Sequence, residues 1–346
     1  MIGCADTRPS SAGWCGKEPR KMKVIVQIPC YNEAETLVPT IRDIPREIAG
    51  VDEVEVLVID DGSTDNTVEV ARECGVEHIV RLPGNRGLAT AFKAGIEACL
   101  ERGADIIVNT DGDNQYCGAD IPRLIEPVLR NEAGMVIGAR PIEAIEHFSF
   151  LKKRLQRLGS WLIRSVSGTD VPDATSGFRA YNRDVACRIN VVSRFSYTHE
   201  TIIQAGNCGI PIASVPVRVN EKLRESRLSR NMMAYIFSST IVIARIYAMY
   251  KSIQVFTLIA CCFLLSGAAV GARFLVFYAM GQGGGHVQSL ILCALLVMIG
   301  IQALIAGLLG DLIACSRRLT EEGLYYLRKH TADSASHISP DADTSA

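Results

Sequence analysis

The chain has 346 residues, enough for one sizeable domain with an attachment or for two small ones. Its 36 Lys+Arg against 37 Asp+Glu leave a formal net charge of -1, which removes any global electrostatic reason to expect nucleic-acid binding. The 12 cysteines are scattered without a CxxC pair, so they suggest neither a zinc site nor a disulfide framework and read as reduced packing residues in a cytosol-facing protein.

Residues 1–21 are Gly-, Ser- and Pro-rich and lack the apolar stretch of a signal peptide, so they read as a disordered extension. Val24 to Ile28 forms a short apolar run ended by Pro29, and the spacing of Leu37, Ile41, Ile44 and Ile48 predicts a helix over Glu35 to Ile48, with Pro39 and Pro45 blurring its ends. Glu53 to Asp60 is a second buried strand, closed by Asp60-Asp-Gly-Ser63. Ser63 or Asp65 then caps a helix through Glu73. A strand at His78 to Leu82, a helix at Leu88 to Arg102 and a strand at Asp105 to Thr110 follow, the last running into Asp111-Gly-Asp113. Strands alternating with helices imply an α/β domain over residues 22–220 with a mostly parallel, doubly wound sheet, whose ligands bind at the carboxyl ends of the strands.

The C-terminal third is different. Arg230 to Tyr250, within residues 221–252, fits one or two amphipathic helices at a bilayer surface. Ile253 to Ala272 and Val287 to Gly310 are uncharged and long enough to cross a hydrocarbon core of roughly 30 Å, which makes residues 253–316 a transmembrane hairpin. Its short linker lacks Lys and Arg, whereas Arg245, Lys251, Arg317, Arg318, Arg328 and Lys329 flank the pair. The positive-inside rule therefore predicts an integral membrane protein with the α/β domain and both termini cytoplasmic. Residues 317–346 read as a cytoplasmic tail, polar and unstructured beyond His330.

Each polar segment of the first domain falls at a strand end: Cys30 to Glu33, Asp60 to Ser63, Asn85 to Gly87, and Asp111 to Asp113. Any one of them has the composition of an ordinary turn, but all of them converge on one rim. Asp111 and Asp113 offer two oxygens to a hard divalent cation, magnesium or manganese, and Gln115 adds a neutral third, the device needed to neutralise a departing diphosphate. Asp60 and Asp61 suit hydrogen bonding to a base or ribose. Asp61 also fits a purely local Asx turn.

The ordered set Ile28-Pro-Cys-Tyr-Asn-Glu-Ala-Glu35, Val58-Ile-Asp-Asp-Gly-Ser-Thr-Asp65, Asn85-Arg-Gly-Leu88 and Asp111-Gly-Asp-Asn-Gln115 resembles glycosyltransferase family 2, whose members have the GT-A fold. Ser176-Gly-Phe-Arg179 and the trailing membrane helices make it most similar to the dolichol-phosphate mannose synthase and polyprenyl-phosphate glycosyltransferase group. That resemblance implies inverting transfer of a hexose from a UDP- or GDP-sugar to a dolichyl or undecaprenyl phosphate. It implies nucleotide contacts from Pro29, Tyr31, Glu33, Asp60 and Asp111, and metal contacts from Asp111, Asp113 and Gln115. Arg140, Ser176 and Arg179 would lie near the acceptor phosphate. Ser226 and Arg227, in a segment similar to the family's mobile loop, would close over the diphosphate. Asp113, Arg179 and Glu200 are the expected catalytic set, with Glu200 as a base or acceptor-orienting group.

A phosphate monoester, with a second pKa of about 6, is already a dianionic nucleophile at neutral pH and needs positioning more than a strong base. The cluster Lys152, Lys153, Arg154 and Arg157 reads equally as a funnel for that phosphate and as a solvated helix face. Two other readings are an enzyme that extends a lipid-linked glycan and a non-catalytic membrane-associated scaffold. The spanning helices leave room for a homo-oligomer.

Overall fold

Strand β1 (Lys23–Cys30) is buried on both faces, as its run of Val and Ile requires of a central parallel strand. Its side chains alternate: Val24, Val26 and Ile28 enter one core layer, Ile25 the other. Around it the computed structural model builds a seven-stranded sheet of order β3-β2-β1-β4-β6-β5-β7. The strands are β2 (Glu53–Asp60), β3 (His78–Arg81), β4 (Ile106–Asn109), β5 (Met135–Ala139), β6 (Arg179–Asn182) and β7 (Ile212–Pro216). The structure describes residues 21–141, 168–169, 171–191, 197–220, 252–281 and 287–335.

Helices α1 (Ala34–Arg42), α2 (Thr67–Glu73) and α4 (Ile121–Leu129) accompany α3 (Leu88–Glu101), α5 (Arg183–Arg188) and α6 (Tyr197–Asn207). One core layer gathers Leu37, Ile41, Val56, Val58, Leu124, Ile125 and Phe178. The opposite layer gathers Leu57, Ile59, Phe92, Ile107, Tyr181, Tyr197 and Ile202. This is the doubly wound α/β architecture expected, with one departure: β6 runs antiparallel to both β4 and β5. The reversal carries function, because it brings the N-terminal end of β6 to the rim where β1, β2 and β4 end.

Two boundaries also differ from expectation. Helix α1 stops at Arg42, and Ile44 and Ile48 reach the core from the turns that follow; Pro45 has no N–H to continue the ladder. Helix α2 begins at Thr67, where Asp65 accepts the Thr67 N–H at 3.1 Å.

Helices α7 (Ser252–Ala279) and α8 (Val287–Ala335) are each long and apolar enough to cross a membrane, and they pack on each other. Glycines allow the approach: a Cβ at Gly300 would meet Leu264 at 2.7 Å, and one at Gly307 would meet Phe256 at 2.9 Å. The polar tail read as unstructured after His330 is instead helical to Ala335, and residues 317–335 are a direct continuation of the second long apolar helix. That continuation docks on the catalytic domain, where Tyr325 is 8 % exposed and belongs to the core layer of α3, α5 and α6. The Tyr325 hydroxyl donates to Asp184 at 2.6 Å, and Arg328 reaches the Ile189 carbonyl at 2.7 Å and Glu97 at 3.0 Å.

The expectations for residues 1–20, Lys152 to Arg157, Ser226 and Arg227, and the amphipathic segment Arg230 to Tyr250 fall outside the described residues.

Candidate active site

The rim begins where β1 and β2 end side by side, Cys30 opposite Asp60. Their loops are zipped together: Asn32 N–H donates to Ser63 Oγ at 2.9 Å, and Asn32 Oδ1 accepts the Thr64 N–H at 2.8 Å. Asn32 adopts φ 55°, a left-handed conformation that asparagine tolerates better than most residues. The two consecutive aspartates have separate tasks. Asp60 is fully buried; its Oδ1 accepts the Ser63 N–H at 2.9 Å, and its Oδ2 lies 3.3 Å from Arg81 Nε. Asp61 accepts the Arg86 N–H at 2.7 Å and the Gly87 N–H at 2.8 Å, so it clamps the Asn85 to Gly87 loop and is spoken for. An open cavity of about 410 Å³, lined by Gly62, Ser63, Arg81, Leu82, Pro83 and Gly84, lies beside this pair.

Strand β4 delivers the second acidic group. Asp111 is half-buried, and Gly177 at the head of β6 makes room for it: a Cβ there would stand 2.9 Å from both Asp111 oxygens and from the Tyr197 hydroxyl. Burial first, then the neighbouring Asp113 and Glu33, lift Asp111 from the usual carboxylate range to about 7, against the pull of Arg140 and Arg179. Asp113 follows through a tight loop in which Gln115 N–H donates to Asp113 Oδ1 at 3.1 Å and Asn114 sits at φ 55°. Glu33 is held from α1, where its Oε2 accepts Thr36 Oγ1 at 2.8 Å while the same hydroxyl reaches the Gly112 carbonyl at 2.7 Å. Gly112 is tight against this corner, since a Cβ would meet Cys30 Sγ at 3.0 Å and Glu33 Cγ at 3.3 Å.

Among the described residues no three His, Cys, Asp or Glu side chains enclose a point as a closed metal cage would. The donor set instead fits a magnesium-type site, in which one or two carboxylates share the ion with water and substrate phosphates. The cost of holding Asp111 ionised beside Asp113 is the electrostatic reason a cation fits here.

Across from Asp111, Arg140 at the end of β5 is locked in a bidentate pair with Asp173, Nε to Oδ2 at 2.7 Å and Nη2 to Oδ1 at 3.1 Å, with Thr175 Oγ1 at 2.7 Å. Burial alone would raise the Asp173 carboxyl, but the Arg140 charge and hydrogen bonds hold it below its ordinary value. Arg140 also lies 5.9 Å from the centre of the Tyr116 ring. Tyr116 in turn accepts the Gly177 N–H at 3.0 Å, and burial keeps its phenol protonated.

Two residues expected near the acceptor phosphate are buried. Arg179 is fully buried, and its donors go to the carbonyls of Ser176 (2.7 Å), Thr198 (2.8 Å) and Ala174 (3.0 Å) and to Thr201 Oγ1 (2.7 Å). It stitches the head of β6 to α6 rather than facing the rim. Ser176 is likewise fully buried, with its hydroxyl accepting the Phe178 N–H at 3.3 Å. Pro29 is buried within β1, whereas Tyr31 and Gln115 remain partly exposed at the rim. Glu200 lies in the first turn of α6 at 2 % exposure, 3.8 Å from Arg317 of α8. Its neighbour His199 is buried, and burial together with Arg179 lowers its pKa to about 4, so it is a neutral packing imidazole.

Sequence reasoning did not find Tyr116, Asp173, Asn109 or Tyr197. Asn109 Nδ2 donates to the Gly177 carbonyl at 2.8 Å and to the Tyr197 hydroxyl at 2.9 Å, while its Oδ1 accepts Gln27 Nε2 at 2.8 Å. These are contacts across 68 to 88 positions of chain. The only local signal was an asparagine and a glutamine inside otherwise apolar strands.

The family model for glycosyl transferase family 2 matches residues 25–189. The undecaprenyl-phosphate mannosyltransferase of Micrococcus luteus is 32% identical over 219 residues, covering 60% of this chain and 88% of that protein. Glycosyltransferase AglJ of Haloferax volcanii is 26% identical over 311 residues, 87% of this chain and 96% of that one, so its match runs into the long apolar helices as well. A solved structure of glucosyl-3-phosphoglycerate synthase from Mycobacterium tuberculosis, in complex with Mn2+, UDP and phosphoglyceric acid, superimposes with a TM-score of 0.51 at 21% identity, covering 64% of this chain and 78% of that one. It shares the fold. The chain therefore belongs to glycosyltransferase family 2, and is an enzyme with a GT-A domain followed by two long apolar helices.

Proposed function

We propose that this glycosyltransferase moves a hexose from a UDP- or GDP-sugar to a polyprenyl phosphate, with inversion at the anomeric carbon, at the cytoplasmic face of a membrane. The observation that carries the reading is the acidic rim around Asp111, in a chain whose catalytic domain is packed against the extension of a helix long enough to span a bilayer. The relative from Micrococcus luteus, named for an undecaprenyl-phosphate acceptor, supports the same acceptor class.

In this reading Asp60 and the cavity beside it take the nucleoside, and Glu33 and Tyr31 border the ribose and diphosphate. Asp111, Asp113 and Gln115 would hold magnesium or manganese, which supplies positive charge to the departing diphosphate. Electrostatic stabilisation of this kind is commonly the largest contribution to such a reaction. One oxygen of the acceptor phosphate attacks the anomeric carbon as the bond from that carbon to the diphosphate oxygen breaks, and the nucleoside diphosphate leaves with the electron pair. The acceptor arrives as a dianion, since a phosphate monoester has a second pKa of about 6, so Glu200 orients rather than deprotonates it. Arg140, already paired with Asp173, lends a pre-oriented cation to the acceptor side without needing to reorganise.

The test is transfer by purified protein from a panel of labelled UDP- and GDP-sugars to a short polyprenyl phosphate, with magnesium or manganese and with Asp113→Ala as control. A metal-dependent glycolipid that the control does not form supports the reading and identifies the donor. Tight nucleotide binding without transfer to any polyprenyl phosphate would overturn the acceptor assignment.

A further inference from the structure

Arg317 follows the second apolar run by about two turns of helix, about 9 Å of rise beyond Asp311, and on sequence it is simply one of the basic residues that mark the cytoplasmic side. Its side chain is 17 % exposed, with Nε 2.6 Å from Glu321 and Nη2 3.8 Å from Glu200. Glu200 is 2 % exposed, and a carboxylate so enclosed requires a nearby positive charge to stay ionised. Glu200 also stands one helical turn from Tyr197, whose hydroxyl meets the corner formed by Gly177 and Asn109 beside Asp111. Among the described residues, a cation that faces this buried acid of the catalytic domain thus comes from the second long apolar helix.

That helix is held in place independently of the pair. Tyr325, Arg328 and Lys329 lie on α8 two to three turns further on, and Tyr325 is in the domain core with its ring under Arg188 at 4.1 Å. The continuous helix between the two contact regions keeps the register of Arg317 against Glu200.

We infer that Arg317 is a positioning residue for the acceptor side of the site: by holding the Glu200 carboxylate charged and oriented, it makes completion of the site depend on the seating of α8. The inference rests on the polyprenyl-phosphate reading and deepens it, because a lipid-borne acceptor approaches from the same membrane surface that α8 leaves.

The experiment uses the full chain in detergent or lipid nanodiscs, measuring steady-state transfer to a short polyprenyl phosphate alongside Kd for UDP and GDP. Arg317→Ala is expected to lower kcat by about tenfold or more while nucleotide Kd stays within about twofold, and Arg317→Lys is expected to recover most of the loss. Glu200→Gln should lower kcat similarly, and the double variant should be no worse than either single one, because both remove the same interaction. Tyr325→Phe, which keeps the ring in the core and deletes the hydroxyl's bonds with Asp184 and Lys329, reports whether the chain folds with its dock perturbed. Wild-type kcat in Arg317→Ala, a parallel loss of nucleotide binding, or additive losses in the double variant would each overturn the inference. If Glu200→Gln transfers normally, the positioning role fails while the reaction stands. A wild type that binds nucleotide but transfers to no polyprenyl phosphate refutes the underlying reading, and the inference with it.

Discussion

Gly177 lies so close to Asp111 that a Cβ on it would stand 2.9 Å from each carboxylate oxygen. The glycine lies just before β6, the reversed strand, and the aspartate just after β4, so the antiparallel step in the sheet is what creates the corner. Gly177→Ala must push the carboxylate, the Tyr197 hydroxyl or the strand itself. Overpacking of this kind costs about 1–3 kcal/mol. We expect metal-dependent transfer to fall by at least about tenfold, since about 1.4 kcal/mol misplaced at the reacting centre suffices. Steady-state kinetics beside a thermal melt measure it; unchanged kcat with a lowered Tm would show that the corner is structural only.

The raised pKa of Asp111 gives the metal-free protein a defined pH response. Below about 4 the group is protonated in both folded and unfolded chains and contributes no slope. Between there and about 7 the folded chain retains a proton that the unfolded chain has lost, so stability declines as pH rises through that window. A bound divalent cation reverses the preference for the neutral form. Magnesium or manganese should therefore raise Tm more at pH 8 than at pH 5.5, and Asp111→Asn should flatten both curves. Equal metal-induced shifts at the two pH values would sink this account.

Asp60 and Asp61 are adjacent but should give separable phenotypes. Asp61→Ala strips the acceptor from the Arg86 and Gly87 N–H groups, a loss of about 1–3 kcal/mol, and should speed hydrogen exchange at those two amides. Asp60→Ala should instead weaken UDP or GDP binding by about tenfold with little change at residues 86 and 87. Calorimetric nucleotide titration combined with site-resolved exchange separates the two.

Asp173 has no part in the sequence motifs, yet it holds the Arg140 guanidinium in place from a nearly inaccessible position. Asp173→Asn leaves that cation without its charge partner, and breaking a buried pair of this kind costs about 3–5 kcal/mol. The expected readings are a lowered Tm and a raised KM for the acceptor. Replacing both partners by apolar residues should recover much of the stability but not the KM.

The parallel half of the sheet was legible because its cause is local. Apolar runs closed by Pro29, by Asp60-Asp61 and by Asp111-Gly112 identify β1, β2 and β4 and the rim they share, and Asp60, Asp111 and Asp113 were singled out that way. What escaped was set by contacts far apart in the chain. Arg179 reads as a charged rim residue in a motif, but four donors are absorbed by three carbonyls and a hydroxyl on segments that meet only after folding. Asp61 looks like a turn former and turns out to clamp the next loop. Residues 317–335 are polar enough to suggest a free tail; one buried tyrosine and one well-placed arginine dock them, and such a sparse signal has no helical stripe to advertise it.

The place of Tyr325 in the catalytic core also orders the protein's biogenesis. Its partners Asp184 and Arg188 are synthesised some 140 positions earlier, and Glu97 precedes its partner Arg328 by 231. The ribosome therefore finishes the GT-A domain, then both apolar helices, before the last piece of that domain's interior exists. A catalytic unit whose interior is closed by a residue beyond the apolar part of the second long helix reaches its final packing only after both of those helices have been synthesised, so the domain cannot complete its core while that part of the chain is still missing.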